Sequence, residues 1–471
     1  MTALPRSFRR RLALPSVKKL ARRGASLFAC ISTIPLGAAG SQQRTPPAEP
    51  FPGAQARRTT ASALEDVTLI DGTGREAMPH RTILIRDERI ADIFPTGSKP
   101  LPPGTRVQRL SGMFVMPGLV DAHVHLTYPF TTRSGQESIL ALLFRSGVTT
   151  VRDMAGDAVA LTALQRQASD AAVQWPRIHY SAVMAGPGFM ASDRRTVPVS
   201  HGVQPGPSPW LRAVTDTTNL VLAVEVAKWT GATGVKLYAD LPADLVARIT
   251  AEAHRQGMKV WSHAAIIPSR PGDAVRAGVD VISHADILVA EGIARMPASF
   301  ATFGSARQYT TVQPSDSSII RLFREMRAAG TMLEPTLLTS QRIAAAARSN
   351  PDREALWYVD KWSYDVTRHA HEMGVMLVSG TDLMGTPGRD SVSLIHDELE
   401  LLVRESGVAP LHAIRTATLN GALAIGIASD HGTVEVGKVA DLVVLRASPL
   451  MDIRNTRSVA FVVKGGVSFE R

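Results

Sequence analysis

The sequence predicts an α/β protein: a (β/α)8 barrel carrying a small, discontinuous β-sandwich domain built from both termini. Three observations predict it. Residues 118–429 alternate eight strand-like runs with helical stretches. Short β-like runs fill 61–117 and return in 430–471. The length of 471 residues suits one large domain plus a smaller one.

Residues 1–40 read as a signal peptide. They hold Arg6, Arg9, Arg10, Arg11, Lys18, Lys19, Arg22 and Arg23 and no acidic residue; without these eight charges the formal +10 falls to +2. The basic character therefore belongs to the leader, which argues against a nucleic-acid partner. An apolar run from Ala25 to about Leu36 follows, and the small residues Gly37, Ala38, Ala39 and Gly40 offer a cleavage site near Ser41. That run is short of the roughly 20 residues needed to span a bilayer. Arg22-Arg23 faintly resembles a twin-arginine signal, with poorly fitting flanks. Leu27-Phe28-Ala29-Cys30 resembles a lipid-attachment box, but the apolar run before Ala29 is too short for one. The expectation is an exported protein, periplasmic or secreted, without a stable membrane anchor. Cys30 is the single cysteine and would leave with the leader. A metal in the mature chain would then rest on nitrogen and oxygen ligands.

Residues 41–60, rich in Pro, Gln, Arg and Thr, read as a linker. From 61 to 117 the strand-like runs are Leu64–Ile70, Arg81–Arg86, Arg89–Phe94 and Thr105–Leu110, divided by turns such as Asp71-Gly72-Thr73-Gly74 and Pro102-Pro103-Gly104. Asp441–Leu445 and Val459–Lys464 repeat the pattern near the C-terminus, with Gly465-Gly466 as a turn. Between them lie the barrel strand candidates Leu119–His125, Thr149–Asp153, Ile178–Val183, Gly234–Tyr238, Lys259–His263, Val279–His284, Thr331–Thr336 and Val375–Thr381. Helical stretches such as Leu241–Gln256 and Asp365–Met373 separate most of them. Two long connections, Met184–Trp210 and Leu288–Ser317, follow the third and sixth strands. Such loops build the mouth of a barrel, so these two read either as lids or as plain surface insertions.

The chemistry starts at His123-Val124-His125. On a strand, side chains alternate, so both imidazoles share a face about 6.6 Å apart along the chain, and one ion fits between them. His369-Ala370-His371 has the same spacing but sits in a predicted helix. There i and i+2 point about 200° apart, and the pair reads as a surface feature. Lys236 stands in the apolar run Gly234-Val235-Lys236-Leu237-Tyr238. A buried ammonium needs a partner or must lose its charge. It is either a salt-bridged lysine at the rim or a neutral amine that takes up CO2 as a carbamate able to bridge two metals. His263 and His284 end consecutive strands. Each alone would suit a core histidine; as a pair at one barrel mouth they suit metal ligands. Asp382 follows Ser379-Gly380-Thr381, a common cap or turn setting, and would end the eighth strand beside the first.

With these residues in view, the chain resembles the amidohydrolase superfamily, in particular its imidazolonepropionase-like and prolidase-like branch. The resemblance covers about 61–471 and rests on the order His-x-His, Lys, His, His, Asp. Met116-Pro117-Gly118 and the stretch Gly432-Thr433-Val434-Glu435-Val436-Gly437-Lys438-Val439-Ala440-Asp441-Leu442 add to it. It implies two divalent ions, with Zn2+ as the default. His123, His125 and Asp382 would hold one and His263 and His284 the other, with carboxylated Lys236 and a hydroxide bridging them. It also implies that Asp382 carries the proton from the nucleophile to the leaving nitrogen. Two departures bear on the substrate: Ser283-His284-Ala285 stands where the branch often has Glu-His-Gly, and the third-strand loop lacks a His/Gly-rich run.

The resulting expectation is an exported metal-dependent hydrolase of an amide bond, in a dipeptide, a C-terminal residue or an N-acyl amino acid. Lactone, ester or cyclic-amide hydrolysis is the alternative on the same site. The resemblance also disfavours deamination: the superfamily's deaminases generally use one metal, lack the bridging Lys and carry a Glu soon after the fifth-strand His, whereas here Lys236 is present and Ala264-Ala265-Ile266 follows His263. A non-catalytic ligand-binding protein would have little use for Asp382. Tyr238, two residues beyond Lys236, either donates a hydrogen bond to substrate or packs at the barrel top. Arg194, Arg195 and His201 could meet a carboxylate or stay solvated. A small molecule or short peptide is the expected partner, and a homo-oligomer is compatible with the sequence.

Overall fold

The computed structural model describes residues 61–128, 132–297, 299–300, 302–303, 309–382 and 392–470. The expected leader, 1–40, and linker, 41–60, lie outside the described residues. No described helix is long and apolar enough to cross a membrane.

Both chain ends build one eight-stranded sheet. The N-terminal part supplies β1 (Ala61–Leu69), β2 (Met78–Arg86), β3 (Arg89–Pro95), β4 (Arg106–Arg109) and β5 (Phe114–Pro117). The barrel strands are β6 (Leu119–Val124), β7 (Val148–Asp153), β8 (Arg177–Ala185), β10 (Gly234–Leu237), β11 (Lys259–His263), β12 (Val281–Ser283) and β13 (Met332–Glu334), with a short β9 (Leu211–Ala213) beside β8. The C-terminal part returns β14 (Leu442–Leu445), β15 (Val459–Lys464) and β16 (Val467–Glu470). The terminal sheet runs β16-β15-β14-β5-β1-β2-β3, with β4 also on β1. β14 joins the two halves antiparallel to β5, Val443 opposite Met116. Leu64, Val67, Ile83, Val115, Leu442 and Val444 close over a separate apolar core.

The second sheet is parallel and runs β13-β12-β11-β10-β8-β7-β6. The predicted eighth strand makes only a bridge, Leu333 to Leu377, yet it closes the ring. Val378 N–H donates to Leu333 O on one side, and Ala122 N–H donates to Ser379 O at 3.0 Å on the other. β6, β7, β10, β12 and β13 are buried along their whole length, so the polar residues they carry, such as Asp121, Arg152 and Glu334, are buried with them.

The helices between strands show how the outer ring is specified. Ala243–Arg255 buries Leu245, Val246, Ile249 and Ala253 on one stripe, and its other face is polar. Asp244 sits in its first turn and Arg255 in its last, each at the favourable end of the helix dipole. Gly257, at φ +74°, then turns the chain into β11. Each fully buried Leu, Val or Ile on that stripe contributes about 1.5–3 kcal/mol.

A buried carboxyl fixes the start of helix Leu337–Arg348, whose own N-cap, Thr336, makes no side-chain cap. Glu398, from helix Ile395–Arg404, accepts from Leu337 N at 2.9 Å and Leu338 N at 2.8 Å. Burial raises its pKa to about 8, against the opposing pull of these two N–H groups. Its folded pKa thus lies above the unfolded value, so its contribution is complete in acid and is lost as pH rises through about 8. Glu398→Gln should remove that slope: urea unfolding between pH 5 and 8 should show wild type losing up to about 1.4 kcal/mol per pH unit relative to the variant. Equal slopes for the two proteins would refute this.

Candidate metal centre

The six predicted ligands meet at the C-terminal mouth of the barrel, where they line one cavity of ≈ 210 Å³. His123 and His125 leave β6 on the same face, ring centroids 5.3 Å apart. The eighth strand brings Asp382 across the closure: its Oδ1 lies 3.0 Å from His125 Nε2 and 3.4 Å from His123 Nε2. These three offer ligand atoms within 4.8 Å of one another, a metal-holding arrangement among the described residues. His284 continues the ring, 5.0 Å from the His123 ring and 4.9 Å from that of His263. Lys236 projects from β10 into the same cavity.

Three of the imidazoles have their inner nitrogens engaged. Nδ1 of His123 faces Glu334 Oε2 at 2.7 Å, that of His284 faces Thr336 Oγ1 at 3.0 Å, and that of His263 faces the Ala265 carbonyl at 3.2 Å. An N–H at Nδ1 donating to Glu334 and Ala265 leaves the Nε2 lone pair for a cation, the usual second layer of a histidine metal site. Burial holds the pKa of His123 low and that of His284 well below the ordinary value. Asp382, although buried, is held well below the usual carboxylate range by His123, His125 and His284. Ring nitrogens of His123, His125 and His284 around the Asp382 carboxylate are a donor set that fits a divalent cation.

The model of the amidohydrolase family matches residues 114–468. The chain belongs to the amidohydrolase family. It is 22% identical to the adenine deaminase of Rubrobacter xylanophilus over 86% of its own length but only 57% of that protein's. With the imidazolonepropionase of Maricaulis maris the identity is 26%, over 76% of this chain and 85% of the relative. With the ochratoxinase of Aspergillus niger it is 24%, over 85% of each. A solved Xaa-Pro dipeptidase with bound methionine superposes with a TM-score of 0.69 at 23% identity, covering 88% of this chain and 100% of that one.

In this amidohydrolase a buried charge network, missed in the sequence, underlies the ligands. Glu334 ends β13 and is fully buried, as is Arg152 of β7. Arg152 Nη2 donates to Glu334 Oε1 at 2.6 Å, while its Nε donates to the Ala122 carbonyl and its guanidinium lies 4.5 Å over the Trp261 ring. Ser283 Oγ donates to Glu334 at 2.7 Å and lies 3.0 Å from Lys236 Nζ. Burial pushes Glu334 up, but Arg152, His123 and Lys236 together bring its pKa to about 2. Burial lowers Lys236 to about 7. Asp121, beneath His123, accepts from Thr381 N and Oγ1 and so ties the first strand to the eighth. A charged residue at a strand position, the signal that marks Lys236, is present at Arg152 and Glu334 as well, but β7 also carries Thr149, Thr150 and Asp153, which dilutes it.

The remaining expected residues separate by position. Tyr238 stacks on Phe189 at 4.6 Å and lies 4.9 Å from the His263 ring. Both long loops reach the cavity, the first through Phe189, Arg195 and Val199 and the second through Phe300. Arg194 faces a different pocket, and His201 pairs with Asp157 at 2.8 Å. His369 and His371 lie in helix Val359–Glu372, where the His371 ring meets His412. Glu334→Gln should lower stability, because it leaves Arg152 buried without its counter-charge, and in the protein that remains folded should lower metal affinity about 10–100-fold. Competition with a chromogenic chelator measures this, and unchanged affinity would mean Glu334 does not orient His123.

Proposed function

We propose that this amidohydrolase is an exported enzyme that hydrolyses an amide bond with two divalent ions, Zn2+ by default. One observation carries the reading: six residues of the required types line a single cavity, and three of the four histidines have Nδ1 engaged by protein groups. His123, His125 and Asp382 would hold one ion, and His263 and His284 the other. Cations there would supply Lewis acidity, lowering the pKa of water and polarising a carbonyl. Lys236 would be the ligand shared by both. With its pKa near 7, part of the amine is neutral at physiological pH and can add to CO2, forming an N–C bond and releasing a proton.

Asp382 is the proton carrier. It is ionised, buried and within hydrogen-bonding distance of His125, so it can accept a proton from the attacking water and deliver it to the leaving nitrogen. Hydrolysis then breaks the C–N bond and yields a carboxylate and an amine. The likeness to an Xaa-Pro dipeptidase supports a peptide or amide substrate. The likeness to an adenine deaminase favours a second reading, deamination of a ring. Against it, Ala264, Ala265 and Ile266 follow His263 as buried apolar residues, which leaves no acid there. Lactones and cyclic amides would use the same groups.

Metal analysis of purified protein should find about two ions per chain. Lys236→Ala should abolish turnover, with partial rescue by short carboxylic acids, and Asp382→Asn should lower kcat by roughly 10²–10⁴-fold. One ion with an unmodified Lys236, or full turnover by Asp382→Asn, would refute the arrangement. A panel of dipeptides, N-acyl amino acids, lactones, aryl amides and adenine separates the substrate classes.

A further inference from the structure

Helix Leu220–Trp229 runs down the outside of the barrel into β10 and carries apolar residues on both of its sides. Asn219 caps it by accepting from Leu222 N at 3.1 Å. Ala223, Val224 and Ala227 form the buried stripe that seats it on the barrel. The opposite face is apolar as well: Trp229 is 83% exposed, Leu222 53% and Val221 49%. One exposed apolar residue is ordinary, but three on a single ten-residue helix form a patch. A tryptophan left almost wholly in water is the kind of side chain that anchors a protein contact.

The spacing of this face matches a second copy of itself. Leu222 and Trp229 are seven residues apart, so they lie about 20° apart around the helix and about 10 Å apart along it. A two-fold axis crossing between Glu225 and Val226 sets two such helices antiparallel, with each indole over the partner's Leu222. That operation also brings like flanks together. Glu225 and Lys228 share one flank, and the axis offsets Glu225 from the partner's Lys228 by only about 3 Å along the helix. Glu225 makes no ion pair among the described residues. Lys228 donates to the Gln256 carbonyl at 2.7 Å, which leaves its ammonium two further protons. The face therefore meets itself with opposite charges and without net repulsion.

We infer that this face is the contact of a two-fold homodimer anchored by Trp229. Antiparallel helices point the two barrels in opposite directions, so both metal-centre cavities stay clear of the contact. A ten-residue helix is about 15 Å long, which puts the contact at the small end of stable interfaces. The dimer is accordingly one that dissociates on dilution.

Sedimentation velocity of the full chain across the micromolar range should show a monomer–dimer equilibrium. Trp229→Glu and, separately, Leu222→Glu should each raise the dissociation constant at least about 30-fold, with circular dichroism and metal content unchanged. Glu225→Lys should weaken the dimer several-fold, and adding Lys228→Glu should restore it, because the exchanged charges again oppose each other. A dimer as tight after Trp229→Glu as before, or a charge exchange that fails to restore it, overturns the inference. So does a wild type that stays monomeric, including one that binds phosphatidylglycerol vesicles through Trp229, which would make the face a lipid contact. None of these readouts needs turnover.

Discussion

The Glu334 carboxylate is the interaction on which the site depends. One oxygen takes the Arg152 guanidinium, and the other takes both His123 Nδ1 and the Ser283 hydroxyl that contacts Lys236. A single anion thus links side chains from β6, β7, β10 and β12 at the end of β13. Burying so many polar groups is unfavourable unless each finds its partner, and a half-satisfied network is worse than an apolar core. Its members fix one another: Arg152 neutralises Glu334, and Glu334 in turn fixes the tautomer and direction of His123. The catalytic proposal needs this rigidity, because imidazoles free to turn would not present their lone pairs to a common point.

Backbone conformation tells the same story at the strand ends. His284, Thr336 and Asp382 all have positive φ, at 78°, 50° and 49°. Such angles cost a non-glycine residue of order 1–3 kcal/mol and persist where the surroundings over-determine them. Thr336 is held between Glu398, which captures the next two N–H groups, and the His284 ring at its hydroxyl. Asp382 directly follows Thr381, which Asp121 ties down through both its N–H and its hydroxyl. The sixth, seventh and eighth barrel strands thus turn sharply just where they deliver side chains to the cavity.

Much of this was legible from residue order. Strand periodicity alone placed His123 and His125 on one face, and helical periodicity separated His369 from His371. The eighth strand was legible from Val375–Thr381 although its pairing with β13 is slight. Arg152 and Glu334 each show a charge on a strand, but their partnership joins positions far apart in the chain, and no spacing reveals it. The sequence does not separate Arg195 from Arg194 and His201, for a different reason. The path of a long loop is set by what it packs against, and only Phe189 seated on Tyr238 shows which of these three charges turns inward. Glu398 carried even less signal, since a glutamate on an amphipathic helix ordinarily faces solvent.

The terminal sheet has a consequence for the order in which the molecule is made. β5 is flanked by β1 on one side and by β14 on the other, and β14 is supplied by the last thirty or so residues. Until those residues emerge, β5 presents an unpaired edge beside an uncovered apolar face formed by Leu64, Val67 and Val115. Open edges of that kind invite pairing with other chains. Synthesis therefore leaves the nascent chain exposed until its final segment arrives, and long-range pairing of this sort is intrinsically slow to form. A chain cut short before Leu442 would keep every metal ligand and still lack the strand that seals its first domain.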